Sequence, residues 1–178
     1  MMVRLGRFNI YLFLSLAVCF FVGCSTPEER ARKKETAALN VHLETSPQTG
    51  DRAESITVSR TSPINLTVER DPFLSEAFVS QAKVVSVMDG FAISIQFDRR
   101  GTWLLEQYSA SNRGRHLAVR ATFGKELAEA RWLAAPRITA RIANGVLTFT
   151  PDATREEADQ IVLGLNNVAK KIQDESAW

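Results

Sequence analysis

The stretch Phe91-Ala92-Ile93-Ser94-Ile95-Gln96-Phe97-Asp98-Arg99-Arg100-Gly101 decides how the rest of the chain is read. Phe91, Ile93, Ile95 and Phe97 alternate with smaller or polar residues, and a side-chain period of two places all four on one face of a strand. Asp98 to Gly101 end that alternation. Beyond them Trp103, Leu104 and Tyr108 fall close together around a helical wheel, which predicts one apolar stripe on a helix over about 99–113. Asn112 and Gly114 tolerate the left-handed backbone that stops a helix, and Leu117, Val119, Ala121 and Phe123 restore the period of two. The unit is strand, helix, glycine stop, strand.

Upstream, Asp89-Gly90 sits between Val85-Ser86-Val87 and the Phe91 strand, and glycine accepts the positive φ of a tight hairpin turn. The two flanking runs therefore pair antiparallel. Three earlier runs also alternate: Leu39, Val41 and Leu43; Ile56 and Val58; Ile64, Leu66 and Val68. Ser46 to Asp51 reads as a turn-rich loop, Asp71-Pro72-Phe73-Leu74 breaks the pattern, and Ser75 to Phe78 is long enough only for a helical turn.

Downstream, Gly124 to Ala135 is less regular, and Lys125-Glu126-Leu127-Ala128-Glu129 fits either a loop or a helical turn. Ile138, Ala140 and Ile142 alternate, and Asn144-Gly145 predicts a second hairpin into Val146 to Phe149. Thr154 and Glu157 have capping-box spacing, in which each side chain satisfies a backbone N–H of the first helical turn. Ala158, Ile161, Val162, Leu165, Val168, Ala169 and Ile172 then recur at helical steps over about 154–173. Two helices with one apolar stripe each, and several strands with one apolar face, predict an α+β fold: a two-layer sandwich, mainly antiparallel sheet covered by two main helices.

The N-terminus has another character. Arg4 and Arg7 precede an almost unbroken apolar run from Ile10 to Val22, which is short for a membrane span and has the layout of a secretory signal. Phe21-Val22-Gly23-Cys24 resembles the bacterial lipobox, although Phe21 stands where Leu is usual. On that reading residues 1–23 are a lipoprotein signal peptide and Cys24 is the lipidation site, with acyl chains such as palmitate as the membrane anchor. An uncleaved anchor helix and a signal cut elsewhere are the alternatives. Residues 24–37, crowded with Glu28, Glu29, Arg30, Arg32, Lys33, Lys34 and Glu35, form a polar tether, and 38–178 one α+β domain.

Cleavage before Cys24 removes Arg4 and Arg7 from the 22 basic residues and none of the 20 acidic ones, leaving equal numbers. Overall neutrality gives no electrostatic case for nucleic acid or for an anionic membrane patch. Cys19 leaves with the signal and Cys24 is acylated, so no thiol remains for a disulfide, a metal site or a nucleophile.

The residues around the opening stretch resemble a known family. Ile93 to Gly101, the helix after it, and Asn112-Arg113-Gly114-Arg115-His116-Leu117-Ala118-Val119 are similar to the head subdomain of the first periplasmic domain of SecD. Ala135-Pro136-Arg137-Ile138, Ile142-Ala143-Asn144-Gly145 and Thr148 to Ala158 resemble later strand, turn and helix-start motifs of the same subdomain. The resemblance runs over about 84–171 and implies a domain outside the cytoplasm that meets exported polypeptide. SecD couples such movement to proton flow through membrane helices. None is read in this sequence after Val22, so the resemblance implies a contacting module and not a proton-driven motor.

No residue set reads as a catalytic machine, a metal site or a cofactor site. His42 and His116 lack ligand spacing, Asp98 reads as a helix start, Ser109 and Ser111 lack a nucleophile elbow, and the glycines are spread over turns rather than gathered in a phosphate loop. The candidate partner contacts are Trp132 and Arg131, in a segment read as loop, and Phe73; for both aromatics the competing reading is a side chain folded back on the core. The expected function is a non-catalytic envelope lipoprotein, on the inner or outer membrane, that binds unfolded exported polypeptide or Sec components and assists export. An adaptor docking on one folded envelope partner is the alternative. Neither nucleic acid nor a small-molecule substrate is expected.

Overall fold

The computed structural model describes residues 26–59 and 62–176. The chain divides into two compact units, Met1–Arg32 and Lys33–Trp178. The first helix, α1 (Pro27–Lys34), opens with a reciprocal cap: Glu29 N–H donates to Thr26 Oγ1 at 3.3 Å and Thr26 N–H to Glu29 Oε2 at 3.2 Å.

The second unit has the expected α+β composition, and among the described residues its strands divide into three antiparallel sheets. The first sheet has the order β4 (Leu74–Ser75), β1 (Ala38–Leu43), β7 (Leu117–Phe123), β8 (Glu129–Ala134). The second is a ribbon of β2 (Ala53–Val58) and β3 (Ile64–Glu69). The third has the order β5 (Val79–Val87), β6 (Gly90–Phe97), β9 (Val146–Phe149). The β5–β6 hairpin turns through Met88 and Asp89, and Gly90, with φ of 143°, opens the returning strand.

Alternation explains the core. Leu39, Val41 and Leu43 of β1 and Leu117, Val119, Ala121 and Phe123 of β7 are buried on one face, with Ile93, Ile95 and Phe97 of β6 in the same cluster. Two helices cover it: α2 (Arg99–Ser111) and α3 (Arg155–Ser176). From α3 it is Ala158, Ile161, Leu165 and Ala169 that are fully buried. Ala118, on the opposite face of β7, instead joins Ile56, Val58, Leu66 and Val68 of the ribbon in a second small core flanked by Trp132. The ribbon therefore covers the face of the first sheet that the helices leave bare.

Both helix starts follow their sequence signals. Asp98 Oδ1 accepts the Gly101 N–H at 2.6 Å. Glu157 N–H donates to Thr154 Oγ1 at 3.2 Å while Thr154 N–H donates to Glu157 Oε2 at 2.7 Å. Three local expectations are corrected. Trp132 and Arg131 lie in the regular strand β8 and not in a loop. Trp103 is 61% exposed, because α2 buries Gly101, Leu105 and Ser109. The second hairpin does not form: β9 pairs with β6, and residues 135–145 cross irregularly below it. The reason is competition for Ile138, which is buried while its N–H bonds Arg115 O and its carbonyl accepts from Gly114, so this segment is claimed by the start of β7. Gly145 still turns the chain at φ of 69°, with its carbonyl accepting from Phe97 N–H.

Candidate functional site

The outer edge of β5 is guarded over one half and open over the other. Near the start of the strand a bulge at Ser80 interrupts the edge, and Asn166 of α3 binds the Ala82 N–H and carbonyl at 2.8 and 2.9 Å. Ala82 thus directs its backbone groups away from β6, and the period of two along an antiparallel ladder makes Val84 and Ser86 do the same. Among the described residues no hydrogen bond reaches the outward backbone groups of Val84 or Ser86. Val84-Val85-Ser86-Val87 carries no charge, Pro or bulge, the usual devices that blunt an edge.

A groove of about 680 Å³ adjoins this edge through Val87. Its walls come from the ribbon tip (Val58, Ile64), the β5–β6 hairpin (Val87, Ala92), the end of β8 (Leu133) and the end of β9 (Phe149). Ile64 is 47% and Val87 43% exposed, and Met88, next in the chain, is fully exposed, so the lip is apolar and open to water. At its base Asp152 N–H donates to Leu133 O at 2.7 Å, tying the chain after β9 to β8. The polar lining is Ser59, Thr148, Thr150 and Asp152, with neither His nor Cys. Such a surface can bury apolar side chains of an extended segment while the open edge pairs its backbone.

The sequence-derived contacts are spread over other faces. Arg131 forks onto Glu157, with its two terminal nitrogens 3.1 and 2.9 Å from the carboxylate oxygens, and also reaches Glu129 at 3.0 Å. The hydrogen bond to Glu157 is the main reason its pKa lies above the ordinary arginine value; burial opposes the shift, and the charges of Glu157, Glu129 and Asp152 add to it. The same Glu157 caps α3, so Arg131 pins β8 to a helix start. Trp132 is half-buried, edge-on to His42 with centroids 5.0 Å apart, and the Arg120 guanidinium lies 5.9 Å from its ring. Phe73 is half-buried and stacked on Tyr108 of α2 at 4.2 Å. His42 Nδ1 bonds Glu69 O at 2.8 Å, and His116 Nδ1 meets Glu44 Oε2 at 2.7 Å. Among the described residues no three His, Cys, Asp or Glu side chains gather as a metal site. Cys24, with the whole signal segment, and Trp178 lie outside the described residues.

The sequence profile of the SecDF P1 head subdomain matches residues 36–169. The chain belongs to this family. The match begins upstream of the motifs that first carried the resemblance and takes in β1, the ribbon and the first sheet. Two solved structures share the fold of this SecDF P1 head. One, described as a membrane component SecDF that enhances protein export, superposes with a TM-score of 0.54 at 17% identity over 83% of this chain and 71% of that one. The other, SecDF in a super-membrane-facing form, gives a TM-score of 0.54 at 17% identity over 80% of this chain and 21% of that one. No curated protein sequence matches the chain. The open edge and the groove both fall within the matched residues. Among the described residues no helix is long and apolar enough to cross a membrane.

Sequence reasoning missed the edge. The signal was present in the uncharged run Val84 to Val87, but whether that run is an inner or an outer strand depends on which partners flank it.

Proposed function

We propose that this SecDF P1 head is the soluble part of an envelope lipoprotein, held to the membrane through acylated Cys24, which binds extended segments of exported polypeptide without catalysing a reaction. The observation that carries the reading is the outer edge at Val84 and Ser86, which no hydrogen bond reaches among the described residues, beside an apolar, water-accessible groove. An unfolded chain supplies both things this surface lacks: backbone donors and acceptors for the edge, and apolar side chains for the groove. One structural relative, a SecDF, is described as enhancing protein export, and a role in export is the reading for this chain as well.

Titration of the full chain with a reduced, carboxymethylated and therefore permanently unfolded protein tests this. Saturable binding that falls on Ser86→Pro is the expected result, since Pro at an outward edge position removes a donor the fold does not use. Indifference to the unfolded protein across the concentration series removes the reading; binding that Ser86→Pro leaves intact removes the edge from it. The adaptor reading has Trp132 in its favour, a half-buried Trp with Arg120 beside its ring, which is the composition of interface anchors. On that reading Trp132, with Arg131 and Phe73 as further contacts, docks on one folded envelope partner, and photocrosslinking from position 132 in cells yields one dominant product.

A further inference from the structure

A different face carries a second, independent surface. The first turn of α2 holds Arg99 and Arg100 and no acidic residue, although a helix N-terminus already carries partial positive charge. That arrangement opposes the helix dipole. One turn later on the same helix Trp103 stands 61% exposed, the most exposed aromatic side chain among the described residues. Half-buried Phe78 and Leu104 complete an apolar hollow of about 490 Å³ with Trp103, and Arg100 lies 6.0 Å from the Phe78 ring. The neighbouring carboxylates are engaged within the fold: Asp98 caps Gly101, Glu106 pairs with Arg141, and Glu76 accepts the Leu39 N–H at 3.1 Å. Two arginines therefore flank an exposed indole with no carboxylate lining the hollow.

We infer that this Arg99–Arg100–Trp103 face rests on an anionic lipid surface. Two observations select a bilayer as the occupant. The first is charge complementarity: cationic guanidiniums around an aromatic ring match the headgroup region, where anionic phosphates and the polar–apolar boundary meet. The second is where the chain enters the domain. Residues 1–25 precede the described structure; the chain meets α3 at Glu35, whose carbonyl accepts from Asn167 at 2.9 Å, and runs on to Leu39, whose N–H is bonded to Glu76, two residues from Phe78 of the hollow. A tether leaving from this end brings this end towards its anchor. The inference rests on the lipid-anchor reading of Cys24. Tethering raises the effective concentration of the face at the bilayer, so a small patch suffices. It also leaves the β5 edge and the groove, formed by other elements, for polypeptide.

The test uses the full chain reconstituted with phosphatidylcholine vesicles, with and without phosphatidylglycerol, carrying brominated acyl chains that quench nearby indoles. The difference between wild type and Trp103→Phe isolates Trp103 from Trp132 and Trp178. The expected result is Trp103 quenching that requires phosphatidylglycerol, fades with added salt, and falls roughly tenfold or more in Arg99→Glu/Arg100→Glu at unchanged circular dichroism. Absence of Trp103 quenching in membrane-associated wild type, or equal quenching in both lipid mixtures, overturns the inference. So does a protein captured by a photocrosslinker at position 103, which assigns the face to an acidic polypeptide. Failure of the anchor reading looks different: wild type and Cys24→Ala then associate equally with vesicles. A wild type that associates with neither vesicle counts against both.

Discussion

The side chain of Asn166 occupies the place of a neighbouring strand at Ala82. Its Oδ1 accepts the Ala82 N–H at 2.8 Å and its Nδ2 donates to the Ala82 carbonyl at 2.9 Å, so one carboxamide from α3 satisfies both outward backbone groups of an edge residue. This part of β5 carries a cap, while among the described residues none reaches Val84 or Ser86. Replacing Asn166 by Ala leaves two part-buried backbone groups without partners and should cost about 1–3 kcal/mol. Asn166→Asp, which keeps an acceptor but has no donor, should fall between. Chemical denaturation gives the size of the effect, and faster hydrogen exchange at the Ala82 amide places it.

Gly164 lies where the incoming chain crosses α3. A Cβ there would stand 2.6 Å from the Ala37 nitrogen and 2.6 Å from the Thr36 carbonyl carbon. Ala is the better helix former by about 1 kcal/mol, which favours substitution. Backbone atoms cannot swing aside as a flexible side chain can, so overpacking at about 1–3 kcal/mol should win and Gly164→Ala should lower the melting temperature. A melting temperature that rises would show that the chain shifts there at little cost.

Arg131 holds β8 against the start of α3 through its fork on Glu157. Lys keeps the charge but not the fork, so Arg131→Lys should lose about 1 kcal/mol, discounted for the partial exposure of both side chains. The sign of the pH dependence follows from its raised pKa. Stabilisation from a raised group is complete below the unfolded-state value and is lost only as pH rises through the folded-state one. Arginine stays protonated far into the alkaline range and its lysine replacement stays protonated to about pH 9, so the gap between wild type and Arg131→Lys should stay flat from about pH 6 to pH 9. Denaturation midpoints across that range check it.

Trp132 closes the small core between the ribbon and the first sheet, edge-on to His42. Trp132→Ala should cost about 2–3 kcal/mol, less than a fully buried aromatic because the ring is only partly buried. Hydrogen exchange should loosen in β2 and β3 before it loosens in β1 and β7. Unchanged stability with loss of a single crosslinked partner would move Trp132 from packing to recognition and favour the adaptor.

Much of the local order was settled by the sequence itself. The alternation of Phe91 to Phe97, the Asp98 helix start, the turn at Met88-Asp89-Gly90 and the Thr154–Glu157 capping box involve residues within a few positions of one another, so side-chain period and cap spacing are enough to specify them. Tertiary structure decided what depends on partners far apart in the chain. The Val146 strand had two candidate neighbours; it joined β6, where Leu147 and Phe149 are buried, while Ile138 was taken by the start of β7. Trp103 and Leu105 lie on one helix two positions apart, and only the placement of α2 against the first core determined that Leu105 is buried and Trp103 is left in water. The free half of the β5 edge is of the same kind. A run of apolar residues states that a strand forms, but pairing is a long-range contact, and only the assembled fold shows which strand has a side without a neighbour.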